Sequence, residues 1–95
     1  MNDSDKRKTQ RKLADYVVEF YDMEGSFLMG VGRLMDLSAS GALVESSLRL
    51  AQGQMFWIQI RRGDHSNLEL PVTVMRMRGK GSMLTYGLQF NRPPR

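Results

Sequence analysis

Residues 54–61 read Gln54-Met55-Phe56-Trp57-Ile58-Gln59-Ile60-Arg61, and Phe56, Ile58 and Ile60 alternate with Met55, Trp57 and Gln59. Successive side chains of an extended chain point to opposite faces, so a period of two marks a half-buried strand. The same pattern extends in both directions. Downstream, residues 61–67 are polar, contain Gly63-Asp64, and read as a hairpin loop. Residues 67–78 form a long strand with Leu68, Leu70, Val72 and Val74 on one face. Pro71 lies inside it without an amide proton, which assigns it to an edge or a bulge. Gly79-Lys80-Gly81-Ser82 is a turn, residues 83–90 are the last strand, and residues 91–95 are a proline-rich stop.

Upstream, residues 46–53 are an irregular connection whose Leu48 and Leu50 should touch the core. Residues 42–45 give a short strand, and residues 27–35 another, interrupted by Gly30 and Gly32. Glycines inside a strand point to a bulge, a bend or close approach of another backbone. Residues 22–26 are a turn freed by Gly25, and residues 15–21 a strand with Tyr16, Val18 and Phe20 on one face. The sum is an all-β chain of six strands with little or no helix. In so short a chain, six strands bury their apolar faces best as a closed antiparallel barrel, because closure also removes exposed edges.

Ninety-five residues imply one domain with one modest core. The hydrophobic fraction of 41% and the charged fraction of 25% suit a globular chain. No apolar run approaches the roughly 20 residues of a membrane-spanning helix, and the polar residues 1–12 do not read as a signal peptide. With no cysteine, disulfides and thiolate metal sites are excluded, and a cytoplasmic location is the expectation. His65 is the single histidine and reads as a solvated loop side chain beside Asp64, so neither a metal site nor a cofactor is expected. Scattered surface acids and one histidine do not form catalytic machinery, and an enzyme is not expected. The eight methionines read first as core filling, with a flexible docking surface as the alternative.

The net charge of +4 favours anionic partners without choosing among them. Five of the seven residues 6–12 are basic, with no apolar residue among them to anchor the segment. The division is therefore a flexible basic arm at residues 1–12 and a barrel at residues 13–95. Within the arm, Arg7-x-x-x-Arg11 sets two guanidinium groups on one face of a helical turn, or lets an extended arm grip a ligand at two points. A solvated basic tail is the alternative. A second motif, Asp36-Leu37-Ser38-Ala39-Ser40-Gly41, reads as a polar turn between two strands. Asp36 and Ser38 project from one side of an extended chain. Gly41 permits a positive backbone angle and close approach of the backbone. Either the pair satisfies local amides, or it forms a small acceptor-and-donor corner at the end of a sheet.

Arg7-x-x-x-Arg11, a strand pair, and then Asp36-x-Ser38-x-x-Gly41 together resemble the PilZ domain, a bacterial receptor for the second messenger cyclic di-GMP. Tyr86-Gly87-Leu88-Gln89-Phe90 also looks like the last barrel strand of that family. The resemblance implies that Arg7 and Arg11 clamp phosphate and base, that Asp36 and Ser38 read the guanine, and that Gly41 shapes the turn. It also implies a packing role against guanine near the end of the fifth strand, where Arg76 is the best match; an exposed strand arginine is the alternative. Lys6, next to Arg7, would add charge. The chemistry agrees. A guanidinium fork pairs with phosphate oxygens and with guanine O6 and N7, and a carboxylate accepts from the guanine N1 and N2 donors.

A lone domain of this type would act as an adaptor: cyclic di-GMP, as a stacked pair, draws the arm across the barrel mouth and changes a surface read by a downstream protein partner. Many relatives carry a helix after the last strand. Here the sequence stops after Pro93-Pro94, so one barrel end is expected to be less covered and open to a partner or a second copy. A monomer or weak homodimer is expected. Two rival readings are a degenerate PilZ-like protein-interaction module and a small basic barrel for RNA or single-stranded DNA. Nucleic-acid barrels stack bases on exposed aromatics. Seven of the eight aromatic residues here fit barrel-face or core positions, and Trp57 alone is a candidate platform.

Overall fold

The computed structural model describes residues 16–61 and 67–91. The basic arm with Lys6, Arg7 and Arg11, and the hairpin tip with His65, lie outside the described residues. Six strands form: β1 (Val17–Tyr21), β2 (Leu28–Leu37), β3 (Gly41–Ser46), β4 (Met55–Arg61), β5 (Asn67–Arg78) and β6 (Leu84–Phe90). They close into an antiparallel barrel in the order β1-β2-β3-β6-β5-β4, with β4 returning to β1. No helix occurs among the described residues. The expected strands are all present, with no end displaced by more than two residues.

Alternation fills the interior as expected. Val18, Phe20, Val44, Phe56, Ile58, Ile60, Val72, Val74 and Tyr86 are buried, and the Phe20 and Phe56 rings meet edge to face at 5.5 Å. Leu50 is buried and Leu48 packs against the core, so the connection from β3 to β4 seals one barrel end. Tyr86 locks that seal. Its hydroxyl donates to the Leu48 carbonyl at 2.7 Å and accepts from the Leu50 amide at 3.0 Å. Tyr86→Phe leaves that buried amide unsatisfied. It should destabilise the barrel by about 1–3 kcal/mol, read as a lower urea midpoint with the slope unchanged.

Pro71 lies within the closed sheet rather than on an edge strand. It pairs with Trp57 of β4, while its carbonyl accepts from Asn91 just past the end of β6. In a strand the N and C=O of one residue face the same side. The missing proton therefore faces β6 where that ladder has ended, and no bond to β4 is lost.

The methionines correct the expectation of core filling. Six of them, Met23, Met35, Met55, Met75, Met77 and Met83, are 41–50% exposed, and Met29 is only partly buried. Position decides this more than hydrophobicity. Met55 has the outward parity, and Met35 and Met75 sit at bulges. Phe27, counted among the seven aromatic residues at barrel-face or core positions, is 64% exposed.

On the outside of β1, the Tyr21 hydroxyl donates to Glu19 Oε1 at 2.9 Å. That hydrogen bond, reinforced by burial and by the Glu19 charge, raises the phenol above its ordinary value of 10.0. The fold thus holds the neutral phenol. This contribution to stability is complete below pH 10 and is lost as pH rises through the raised value. Ultraviolet titration should place phenolate formation lower in Glu19→Gln than in the parent.

Candidate functional site

Two bulges build the site. In β2, Leu34 faces the core, and strict alternation would turn Asp36 inward as well. The register slips between Leu34 and Asp36, so Met35 is accommodated as an extra residue and Asp36 opposes Leu43. In β5 the same device recurs. Val74 faces the core, the register slips between Val74 and Arg76, and Arg76 opposes Gly87. An extra residue shifts the parity of everything beyond it. Both polar side chains are thereby aimed outward.

Leu43 in turn opposes Gly87. Asp36, Leu43, Gly87 and Arg76 therefore form one row across β2, β3, β6 and β5. Strands lie about 4.8 Å apart, so the row spans roughly 14 Å between its outer Cα atoms before sheet curvature. It crosses a groove of about 670 Å³, whose walls also include Ser38, Gly41, Met75 and Gln89. Gly87 lowers the floor of this groove, since a Cβ there would meet Arg76 Cγ at 3.0 Å. Sequence reading missed Gly87, Met75 and Gln89. A glycine in mid-strand is itself a signal of close approach and could have flagged the first.

Asp36 and Arg76 are both exposed, and neither joins an ion pair among the described residues. Asp36 Oδ1 accepts from the Leu37 amide at 2.8 Å. Ser38 is engaged with its own loop. Its Oγ lies 3.2 Å from the Gly41 amide and 3.3 Å from the Ser40 amide, accepting from both, and its own amide donates to the Gly41 carbonyl at 2.9 Å. Ser38 thus fixes the β2–β3 turn beside Asp36.

The expected turn over residues 36–41 is shorter than the sequence suggested. Asp36 and Leu37 belong to β2 and Gly41 to β3. Gly41 also departs from expectation. The glycines with positive φ among the described residues are Gly25, Gly53, Gly79 and Gly81. Gly41 is needed for the other reason, close approach. A Cβ at this position would fall 2.2 Å from the Leu88 carbonyl oxygen of β6. Its role is to let β3 start tight against β6, which shapes the groove floor.

The site thus joins a carboxylate wall, a hydroxyl-braced turn, a glycine floor and an exposed guanidinium. The family model for the PilZ domain matches residues 5–95. The chain belongs to the PilZ domain family. PilZ domains are binding modules for cyclic di-GMP and not enzymes. The match covers nearly the whole chain, including both sequence motifs. Comparison with curated proteins and with solved structures gives no significant match. Among the described residues, no helix is long and apolar enough to cross a membrane, and no group of acidic, histidine or cysteine side chains could hold a metal ion. Of the residues the resemblance implied, Asp36, Ser38, Gly41 and Arg76 line one groove of this PilZ barrel. Lys6, Arg7 and Arg11 lie outside the described residues.

Proposed function

We propose that the chain is a cytoplasmic cyclic di-GMP sensor and adaptor. The nucleotide lies in the groove of β2, β3, β6 and β5, with Asp36 as the guanine acceptor and Arg76 packed on a base or pairing with a phosphate. Ser38 holds the loop that presents Asp36, and Gly41 sets the depth. Arg7 and Arg11, with Lys6 beside them, come from an arm at residues 1–12 and close over the ligand, a stacked pair of cyclic di-GMP molecules. Ordering the arm is the switch, and the altered surface is what a downstream protein reads.

The observation that carries this reading is the register row from Asp36 to Arg76, which sets a carboxylate and a forked donor, neither in an ion pair among the described residues, on opposite sides of a floor lowered at Gly87. A guanine nucleotide needs both groups at once. Calorimetric titration with cyclic di-GMP tests it. The parent chain should bind, with affinity falling as salt rises because surface charges are screened. Asp36→Ala should weaken binding about tenfold or more, as expected for losing hydrogen bonds to a charged acceptor. No heat with the parent chain, or equal affinity in Asp36→Ala, ends the reading.

A further inference from the structure

The barrel carries a second cleft. In the closed order of strands, β1 lies opposite β6 and β4 opposite β3, so the outer face of β1 and β4 points away from the nucleotide groove. Two adjacent register rows cross it. Tyr21, Trp57 and Pro71 form one, and Glu19, Gln59 and Glu69 the other. Between them is a cleft of about 280 Å³ lined by Tyr21, Trp57, Gln59 and Glu69.

We propose that this cleft binds an arginine or lysine side chain from a basic segment of a partner protein. The walls are held in place. The Trp57 indole N–H donates to the Met23 carbonyl at 3.1 Å, and the Tyr21 hydroxyl is held by Glu19. Glu19 is itself committed to Tyr21 and, at 3.4 Å, to Arg61. Glu69 is exposed and has no partner among the described residues. Two fixed aromatic faces beside one unspent carboxylate suit a cation, which gains from the ring quadrupole and from the charge together.

Charge distribution supports a basic occupant. Of the six described acidic side chains, Glu19, Asp22, Glu24 and Glu69 lie on β1, its following turn or the start of β5. Arg61, at the end of β4, is a described cation on the same face and is taken up by Glu19, whereas Arg76, Arg78 and Lys80 lie at the far end of β5 and just beyond it. A chain of net charge +4 therefore presents a local acidic face, which repels nucleotide and attracts a basic partner. Phe27 and Met23, 64% and 50% exposed, flank the cleft at the β1–β2 turn and offer apolar contact to residues beside the cation. The inference rests on the adaptor half of the function proposed above and not on its nucleotide half.

Trp57 is the only tryptophan, so its emission reports this cleft alone. The full chain is titrated with a short synthetic peptide alternating arginine and leucine, and with a control carrying glutamate for arginine. The expected result is a saturable change in Trp57 emission with the arginine peptide only. Glu69→Gln should weaken it about threefold to tenfold, and added salt should weaken it further. Amide spectra should shift at Tyr21, Gln59 and Glu69 and leave Asp36 to Gly41 unmoved. An unchanged emission, an equal response to the glutamate peptide, or full affinity in a folded Glu69→Gln overturns the proposal. So does emission that tracks protein concentration alone, the mark of a second copy on this face. Cyclic di-GMP does not enter the experiment, so its failure and a failure of the nucleotide reading are separate results.

Discussion

A chain carrying both Arg7→Ala and Arg11→Ala should fold as the parent does and lose cyclic di-GMP affinity by about 100-fold or more. Each guanidinium offers charge-assisted, bidentate hydrogen bonds, and losing one such set costs about 1.5–3 kcal/mol. Two together exceed the contribution of any single residue in the groove. The requirement is reach. The Tyr16 carbonyl accepts from the Leu34 amide at 3.3 Å, so the chain enters the barrel beside β2, close to the bulge that aims Asp36. Arg11 precedes Tyr16 by five residues. At about 3.3 Å per residue, these can extend roughly 17 Å, and the whole row from Asp36 to Arg76 is roughly 14 Å. Arg11→Lys separates charge from shape: it keeps the cation, loses the planar fork, and should fall between parent and alanine. Calorimetry on the double variant, Arg11→Lys and Arg11→Ala, each with an unchanged melting midpoint, checks this. If the double variant binds as the parent does, the arm has no part in the site.

Much of this barrel was legible because alternation is a local property. Phe56, Ile58 and Ile60 announce an inner face without reference to any other strand, and all three are buried. The bulges were not legible in the same way. Met35 and Met75 look like ordinary strand residues, and only the partner strand reveals that each is the extra one. Without them, parity assigns Asp36 to the Leu34 face and Arg76 to the Val74 face, inside the barrel. The motif named Asp36 and Ser38 correctly as neighbours, yet the groove they line also depends on Gly87 and Arg76, more than thirty-five residues later. Exposure of the methionines was hidden for the same reason. Hydrophobicity suggests burial, whereas six strands enclose a small volume that the inward positions already fill.

Gly41→Ala should cost both the stability of the barrel and the nucleotide groove, and comparison with Gly25→Ala isolates the cause. Gly25 has φ of 73°, and a Cβ added there would meet nothing within 4 Å. Alanine there meets only backbone strain, about 1–2 kcal/mol, and should leave the groove intact. Gly41 has ordinary backbone angles but a β6 carbonyl 2.2 Å from where a Cβ would be. That oxygen belongs to Leu88, whose side chain is buried, so it has little freedom to retreat. The start of β3 must move instead. This strains the Gly41–Gln89 pair and the adjacent bond from the Phe90 amide to the Ser40 carbonyl at 2.9 Å. Overpacking costs about 1–3 kcal/mol and each weakened hydrogen bond about 1 kcal/mol more. A loss of roughly 2–4 kcal/mol is therefore expected, a large part of the stability of a small domain. Ser38 is tied to Gly41 through both amide and carbonyl, so the turn that presents Asp36 moves with it. Cyclic di-GMP affinity should then fall at least tenfold in Gly41→Ala at temperatures where the variant is still folded, and stay at the parent value in Gly25→Ala. Equal effects of the two substitutions would mean that Gly41 serves the turn through backbone freedom after all, and that the tight seating of β3 on β6 does not shape the groove.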